Sequence, residues 1–282
     1  FLEQGITFEM ILDEGGAIID PPIGGMKCEK CAMVAVHEKG RYLLHCTANA
    51  ANVHPSLTAA TNATATERMA RFITSAMETP PFIRRLNPQV KAMFTAIAPH
   101  CKFPMNALFS NLDLFGKPLE QVMPKLNPQA GGMIGTTCTF TELRTLPDGK
   151  SCTCDANFKS VDGTDMMTDL EALRRLAKKY DVEITIDEKS EYHEPADFSG
   201  KEFEYMKKCI AKTFPDYPAI PFILPAGTDA RTFTDICRCI FRFAPIRLSA
   251  AQLASVHSEN ENIDIAAIEP CVKFYKEFVR GL

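Results

Sequence analysis

Apolar residues recur along this chain in patterns that predict a mixed α/β protein. Residues 6–12 (I-T-F-E-M-I-L) read as a strand that exits into D-E-G-G. Residues 32–45 carry two apolar segments, A-M-V-A-V-H and R-Y-L-L-H-C, around E-K-G, which predicts a β-hairpin. A helix follows over 58–77, with Ala63, Met69, Phe72, Ile73 and Ala76 near one face. From 79 to 132 the chain is punctuated by proline and reads as short helical pieces, each starting near a proline or an asparagine.

Strands return at 133–160, around P-D-G. Residues 165–179 form an amphipathic helix whose apolar face holds Met166, Leu170, Leu173, Leu176 and Ala177, and V-E-I-T-I closes the unit as a strand. Further helices are predicted at 199–214, 249–256 and 266–279, with a short helix and a strand at 232–243. The order from 32 to 186 suits a compact antiparallel α+β domain inserted into another fold. The expected architecture is therefore a discontinuous α/β domain built from 1–31 and 190–282, with an inserted lid or dimerisation domain over 32–189.

Composition narrows the function classes. The 282 residues are 46% hydrophobic and 23% charged, ordinary for a globular chain with a sizeable core. A net charge of −4 and the lack of a lysine-rich block give a nucleic-acid or anionic-membrane partner no electrostatic support. No apolar run approaches the ~20 residues that span a bilayer, and the first residues lack the pattern of a secretory signal. A cytoplasmic protein is expected. Its eleven cysteines are then reduced thiols rather than a disulfide framework. Cys28-x-x-Cys31 is half of a metal site, and buried inert thiols are the plainer reading. Cys152/Cys154 and Cys237/Cys239 are spaced to share one face of a strand.

Chemistry concentrates between 224 and 261. There L-P-A-G-T-D-A-R precedes an apolar strand and H-S-E-N-E follows it, placing polar groups where α/β folds hold ligands. Asp13 and Glu14 supply carboxylates and His257 an imidazole, donors that suit a divalent metal. Arg231 supplies a planar fork for a substrate carboxylate. Each residue also has a plainer role: solvated acids at a strand exit, a surface ion pair for Arg231, and a helix-end cation for His257. His54 lies before a proline in a polar loop, whereas His37, His45, His100 and His193 stand in strands or loops without a carboxylate pattern.

F-E-M-I-L-D-E-G-G, V-H-P-S-L, A-G-T-D-A-R and H-S-E-N-E, in that order, resemble the zinc-dependent aminoacylase/carboxypeptidase metallopeptidase family. The proline-broken middle resembles its carboxypeptidase-S and N-acyl-amino-acid hydrolase branch. The resemblance implies two co-catalytic zinc ions, with cobalt or manganese as substitutes, and a lid domain that makes a homodimer. It assigns Asp13 or Glu14 to one metal and His257 to the other. His54 becomes the lid histidine that polarises the scissile carbonyl. Arg231, with Gly227, Thr228 and Asp229, becomes the carboxylate-binding segment. The family's first metal motif and its paired glutamates lie upstream of the acid pair and are not in this sequence. The expectation is a carboxy-terminal portion of a hydrolase that cleaves an amide next to a free carboxylate, in a peptide or an N-acyl amino acid, with weak zinc binding and little activity alone. The competing reading is an inert dimerisation module. A cysteine-based hydrolase is disfavoured because no cysteine stands beside a histidine in a nucleophile-like setting.

Overall fold

The structure, a computed structural model, describes residues 1–51, 64–126, 132, 134–146, 150–161, 163–190 and 193–281. Its strands, in chain order, are β1 (Ile11–Asp13), β2 (Ile18–Ile19), β3 (Cys31–Glu38), β4 (Gly40–Asn49), β5 (Thr137–Thr145), β6 (Ser151–Ser160), β7 (Val182–Ser190), β8 (Ala219–Leu224) and β9 (Ile240–Arg242). Its helices are α1 (Ala65–Glu78), α2 (Pro88–Ile97), α3 (Met105–Ser110), α4 (Leu112–Leu126), α5 (Gly163–Lys178), α6 (Lys201–Thr213), α7 (Ala250–Ala254) and α8 (Ile268–Arg280). Two compact units result: residues 1–38, 86–119 and 193–282, and residues 39–85 and 120–192.

The first unit is built on a mixed sheet. β1 runs parallel to β9 with Asp13 opposite Arg242, and β3 runs parallel to β8 with Glu38 opposite Leu224. β2 and β9 meet β3 antiparallel, β9 through the Ala35–Arg242 bridge. β3 is apolar along almost its whole length because both of its faces are buried. Phe203, Met206 and Ile210 of α6 and Phe274 and Phe278 of α8 pack with Val34, Val36, Phe241 and Phe243 into one core. β8 contains Pro221, which a central strand would exclude, since proline donates nothing to a ladder. Among the described residues β8 pairs only with β3, so it is an edge strand and tolerates it.

The second unit is a four-stranded antiparallel sheet in the order β5-β6-β4-β7. One face packs Tyr42, Leu44, Cys46, Cys152, Cys154, Phe158 and Ile184 against Met69 and Phe72 of α1 and Leu170 and Leu173 of α5. Cys152 and Cys154 thus share a face, as their spacing predicts. Thr64 caps α1 by accepting from the Glu67 amide, which fixes where that helix begins. The other face of the sheet is polar and carries His45 and Asp155.

The predicted hairpin at 32–45 does not form. β3 and β4 adjoin in sequence but enter different sheets: β3 pairs with β2, β8 and β9, and β4 with β6 and β7. The physical reason lies in their patterns. β3 is buried at seven successive positions, whereas β4 alternates, with Gly40, Tyr42, Leu44, Cys46 and Ala48 inward. Only Lys39 separates the two strands, fewer than the two residues of the tightest common hairpin loop. Residues 80–86, expected to be helical, form no helix, and Arg84 makes a bridge to Gly135.

Candidate active site

Asp13 ends β1, and its side chain reaches the 225–231 loop. The Ala230 amide donates to Asp13 Oδ2 at 2.8 Å and shares its proton with Thr228 Oγ1 at 3.3 Å. Asp13 therefore anchors a 3-10 turn, Asp229–Phe233, whose N-cap is Thr228. That satisfies an amide that the start of any helical turn leaves without a partner. The hydroxyl of Thr228 donates to Glu38 Oε1 at 2.6 Å. The loop is thus tied to the ends of both β1 and β3.

Glu38 organises the cations here. Arg242 Nε donates to Glu38 Oε1 at 2.7 Å, and Arg231 Nη2 lies 3.5 Å from Glu38 Oε2. The side chains of Glu38 and Arg242 are 9% and 7% exposed, so this is a buried ion pair, and Arg242 Nη1 also donates to the Ile240 carbonyl. Arg231 is 34% exposed and is steadied by its Nε donating to the Thr228 carbonyl. Its guanidinium lies on Gly227: a Cβ there would fall 1.2 Å from Arg231 Nη2. A side chain at 227 would displace the guanidinium from this position, so the glycine sets where Arg231 lies.

The second glycine of D-E-G-G is explained in the same way. A Cβ on Gly16 would stand 2.1 Å from the Met33 carbonyl oxygen and 2.6 Å from that of Arg242. The strand exit is therefore pressed between the β3 and β9 backbones. Glu14, next to this contact, has its carboxyl pushed upward, first by burial and then by the Asp13 carboxylate, with Glu38 and Asp229 adding to the effect. The His257 imidazole opposes that shift. Asp13, Glu14, Glu38, Asp229 and His257 consequently share one electrostatic neighbourhood.

His257 follows α7 in an exposed loop and holds a left-handed backbone at φ 60°, as does Asn260. Its amide donates to Glu261 Oε2 at 3.1 Å. Such a conformation costs a non-glycine residue about 1–3 kcal/mol and persists where the surroundings impose it. The carboxylate and imidazole donors are of the right chemistry for a divalent ion. Asp13, Glu14 and His257 do not, however, bring three ligand atoms within 4.8 Å of one another. His54 lies outside the described residues.

In the second unit, His45 Nδ1 lies 2.7 Å from Asp155 Oδ1, and Asp187 joins them within 4.8 Å. Among the described residues this is the group of three donors that comes close enough to share a metal ion. His45 carried no carboxylate pattern in sequence because its partners stand on neighbouring strands, Asp155 directly across in β6 and Asp187 at the register shift of β7. Glu38 and Arg242 were likewise overlooked. Their signal was an arginine inside the apolar run C-I-F-R-F, where a charge needs a partner.

The sequence model of Peptidase family M20/M25/M40 matches residues 9–281. The chain belongs to this family. Among curated proteins it is 27% identical over 283 residues to the Probable carboxypeptidase S-like 2 of Dictyostelium discoideum, covering 97% of this chain and 53% of that protein. It is 26% identical over 295 residues to the human N-fatty-acyl-amino acid synthase/hydrolase PM20D1, covering 99% and 56%. The chain thus spans just over half the length of these relatives. Among solved structures, the di-peptidase Dug1p from Saccharomyces cerevisiae superposes with a TM-score of 0.63 at 11% identity, over 96% of this chain and 58% of that one. The M20 family metallo-carboxypeptidase Sso-CP2 from Sulfolobus solfataricus gives 0.58 at 14% identity, over 98% and 64%. These likenesses agree with the α/β fold with two sheets. No helix among the described residues is long and apolar enough to cross a membrane.

Proposed function

We propose that this M20-family chain carries part of the active site of a metal-dependent hydrolase that cleaves an amide bond next to a free carboxylate, in a peptide or an N-acyl amino acid. The observation that carries this reading is the hydrogen bond from Ala230 to Asp13, which joins two motifs 217 residues apart in sequence. It puts a carboxylate suited to a metal beside the loop that holds Arg231. Arg231 would hold the substrate's carboxylate with its planar fork, set in position by Gly227, Thr228 and Glu38. Asp229, at the start of the same turn, would keep the loop's polar rim facing the substrate.

Zinc is the metal we assign, with cobalt or manganese as substitutes. Asp13 or Glu14 would hold one ion and His257 another, each with further donors. When bound, such an ion supplies a Lewis acid and an activated water. His54 is the residue proposed to polarise the scissile carbonyl. The names of the relatives, a carboxypeptidase and an N-fatty-acyl-amino acid synthase/hydrolase, support both substrate classes. A homodimer through the second unit is also proposed, supported by the two edge strands, β5 and β7, that end its sheet. A cytoplasmic location is also proposed.

The reading is tested by adding N-acyl amino acids and dipeptides, with zinc and with or without chelator, to residues 1–282 alone, which should release little, and to protein that also carries the family's first metal motif and paired glutamates, and measuring released amino acid. Zinc-dependent release that falls at least about ten-fold in Arg231→Met is expected. Release that ignores the chelator would refute it.

A further inference from the structure

Eleven cysteines are scattered over the chain, and the proposed hydrolase uses none of them. Cys46 and Cys154 face each other across β4 and β6, and Cys28 and Cys31 touch through their sulfurs. Cys28 Sγ lies 3.5 Å from Cys31 Sγ, a contact between a half-buried thiol in a loop and a buried one at the first residue of β3. Cys31 is fixed by the sheet, where it pairs with Ile19 of β2. Cys28 is held from the other side: the Lys27 amide donates to the His100 carbonyl at 2.7 Å, and the Lys102 amide to the Gly25 carbonyl at 2.8 Å. These bonds, with the bridge between Met26 and Cys101, bring a third buried thiol, Cys101, to the same corner of the first unit.

We propose that Cys28 and Cys31 form a reversible disulfide site, a dithiol that exchanges with a small-molecule disulfide such as glutathione disulfide. The order of events follows from access. Cys28 is the reachable sulfur, so its thiolate attacks one sulfur of the oxidant, forming a mixed disulfide and releasing one thiol. Cys31, already in contact with Cys28, gives up its proton and attacks the Cys28 sulfur, closing the intramolecular bond and releasing the second thiol. The two cysteines lose two electrons and two protons, and the oxidant becomes two thiols. Burial and the neighbouring Cys28 push the Cys31 thiol upward, so Cys31 is the poorer first attacker, and its closing step relies on its contact with Cys28. Oxidation would tie the 21–30 loop covalently to the start of β3, the strand whose other end carries Glu38.

The sequence supplies its own reporter. Lys30 lies between the two cysteines, so trypsin cuts between them, and an oxidised pair leaves the tripeptide Cys28-Glu29-Lys30 joined to the peptide that starts at Cys31. Native protein is equilibrated in buffers of increasing glutathione-disulfide fraction, quenched by acid and alkylation, digested and read by mass spectrometry. The expected product is this linked pair, two hydrogens lighter and reversed by dithiothreitol. It should appear at an oxidant ratio about ten-fold below that which oxidises any other cysteine pair. Cys28→Ser and Cys31→Ser abolish it, and Cys101→Ser leaves it unchanged. A link from Cys28 to Cys101, glutathione that stays on Cys28 at equilibrium, or earlier oxidation of another pair would overturn the proposal. Because the readout is a covalent bond, it stands or fails independently of the hydrolase assignment.

Discussion

Replacing Glu38 by glutamine keeps the shape of the side chain and removes its charge, and the outcome can be worked from the geometry. Arg242 then loses its carboxylate partner at 2.7 Å, and Arg231 loses the same carboxylate at 3.5 Å. The two losses differ in size. Arg231 is 34% exposed, so water replaces most of what it loses, and that contact contributes about 0–1 kcal/mol. Arg242 is 7% exposed, and stranding one member of a buried pair costs about 3–5 kcal/mol. The buried pair dominates. Glu38→Gln should therefore destabilise the chain by about 3–5 kcal/mol in urea unfolding followed by far-UV circular dichroism, since the chain has no tryptophan. Adding Arg242→Met removes the stranded charge, so the double variant should be more stable than Glu38→Gln alone. A single variant within about 1 kcal/mol of the parent, or a double variant whose losses simply add, would refute the buried-pair account.

Other perturbations separate site from scaffold. Gly227→Ala puts a methyl group where the Arg231 guanidinium lies, so it should weaken binding of a carboxylate ligand about ten-fold or more while costing only about 1 kcal/mol of stability. Calorimetric titration with an N-acyl amino acid, beside a melting curve, separates the two effects. Gly16→Ala drives a Cβ into two strand carbonyls and should prevent the first unit from folding. Gly24→Ala meets nothing within 4 Å and should melt like the parent. Lys39, buried and donating to the Gly132 and Gly135 carbonyls, has its ammonium pushed down from 10.5 to about 8, first by burial and then by Lys159. Between these pH values the unfolded chain keeps a proton that the folded chain releases, so stability should rise with pH, by about 3 kcal/mol in all. Below about pH 8 the cost is fully present. Lys39→Met should abolish the rise, and equal pH slopes in the two proteins would contradict it.

Much of this architecture was legible where one element decides its own pattern. Met69, Phe72 and Ala76 marked the buried face of α1, and Met166, Leu170 and Leu173 that of α5, because a helix repeats its core contacts every three or four residues. The hairpin failed where partners had to be chosen. The alternation of β4 and the unbroken apolar run of β3 differed in the sequence, yet E-K-G between them suggested a local turn. β8 was missed because Pro221 argues against a strand unless the strand lies at an edge. At the candidate site, the acid of D-E-G-G and the arginine of A-G-T-D-A-R were visible as motifs. Glu38, which links Thr228, Arg231 and Arg242, was not, since its role depends on three contacts that lie about 190 residues or more away in sequence.

The central claim is that Arg231 holds a substrate carboxylate beside a metal-dependent centre. Its most direct test compares zinc-dependent cleavage of an N-acyl amino acid with cleavage of the same compound bearing a carboxamide in place of the free carboxylate, using protein that also carries the family's first metal motif and paired glutamates, as the parent and as Arg231→Met. The account predicts that the parent prefers the acid by at least about ten-fold in kcat/KM and that the variant loses this preference. Equal rates on the two compounds in the parent, or an undiminished preference in the variant, would contradict it.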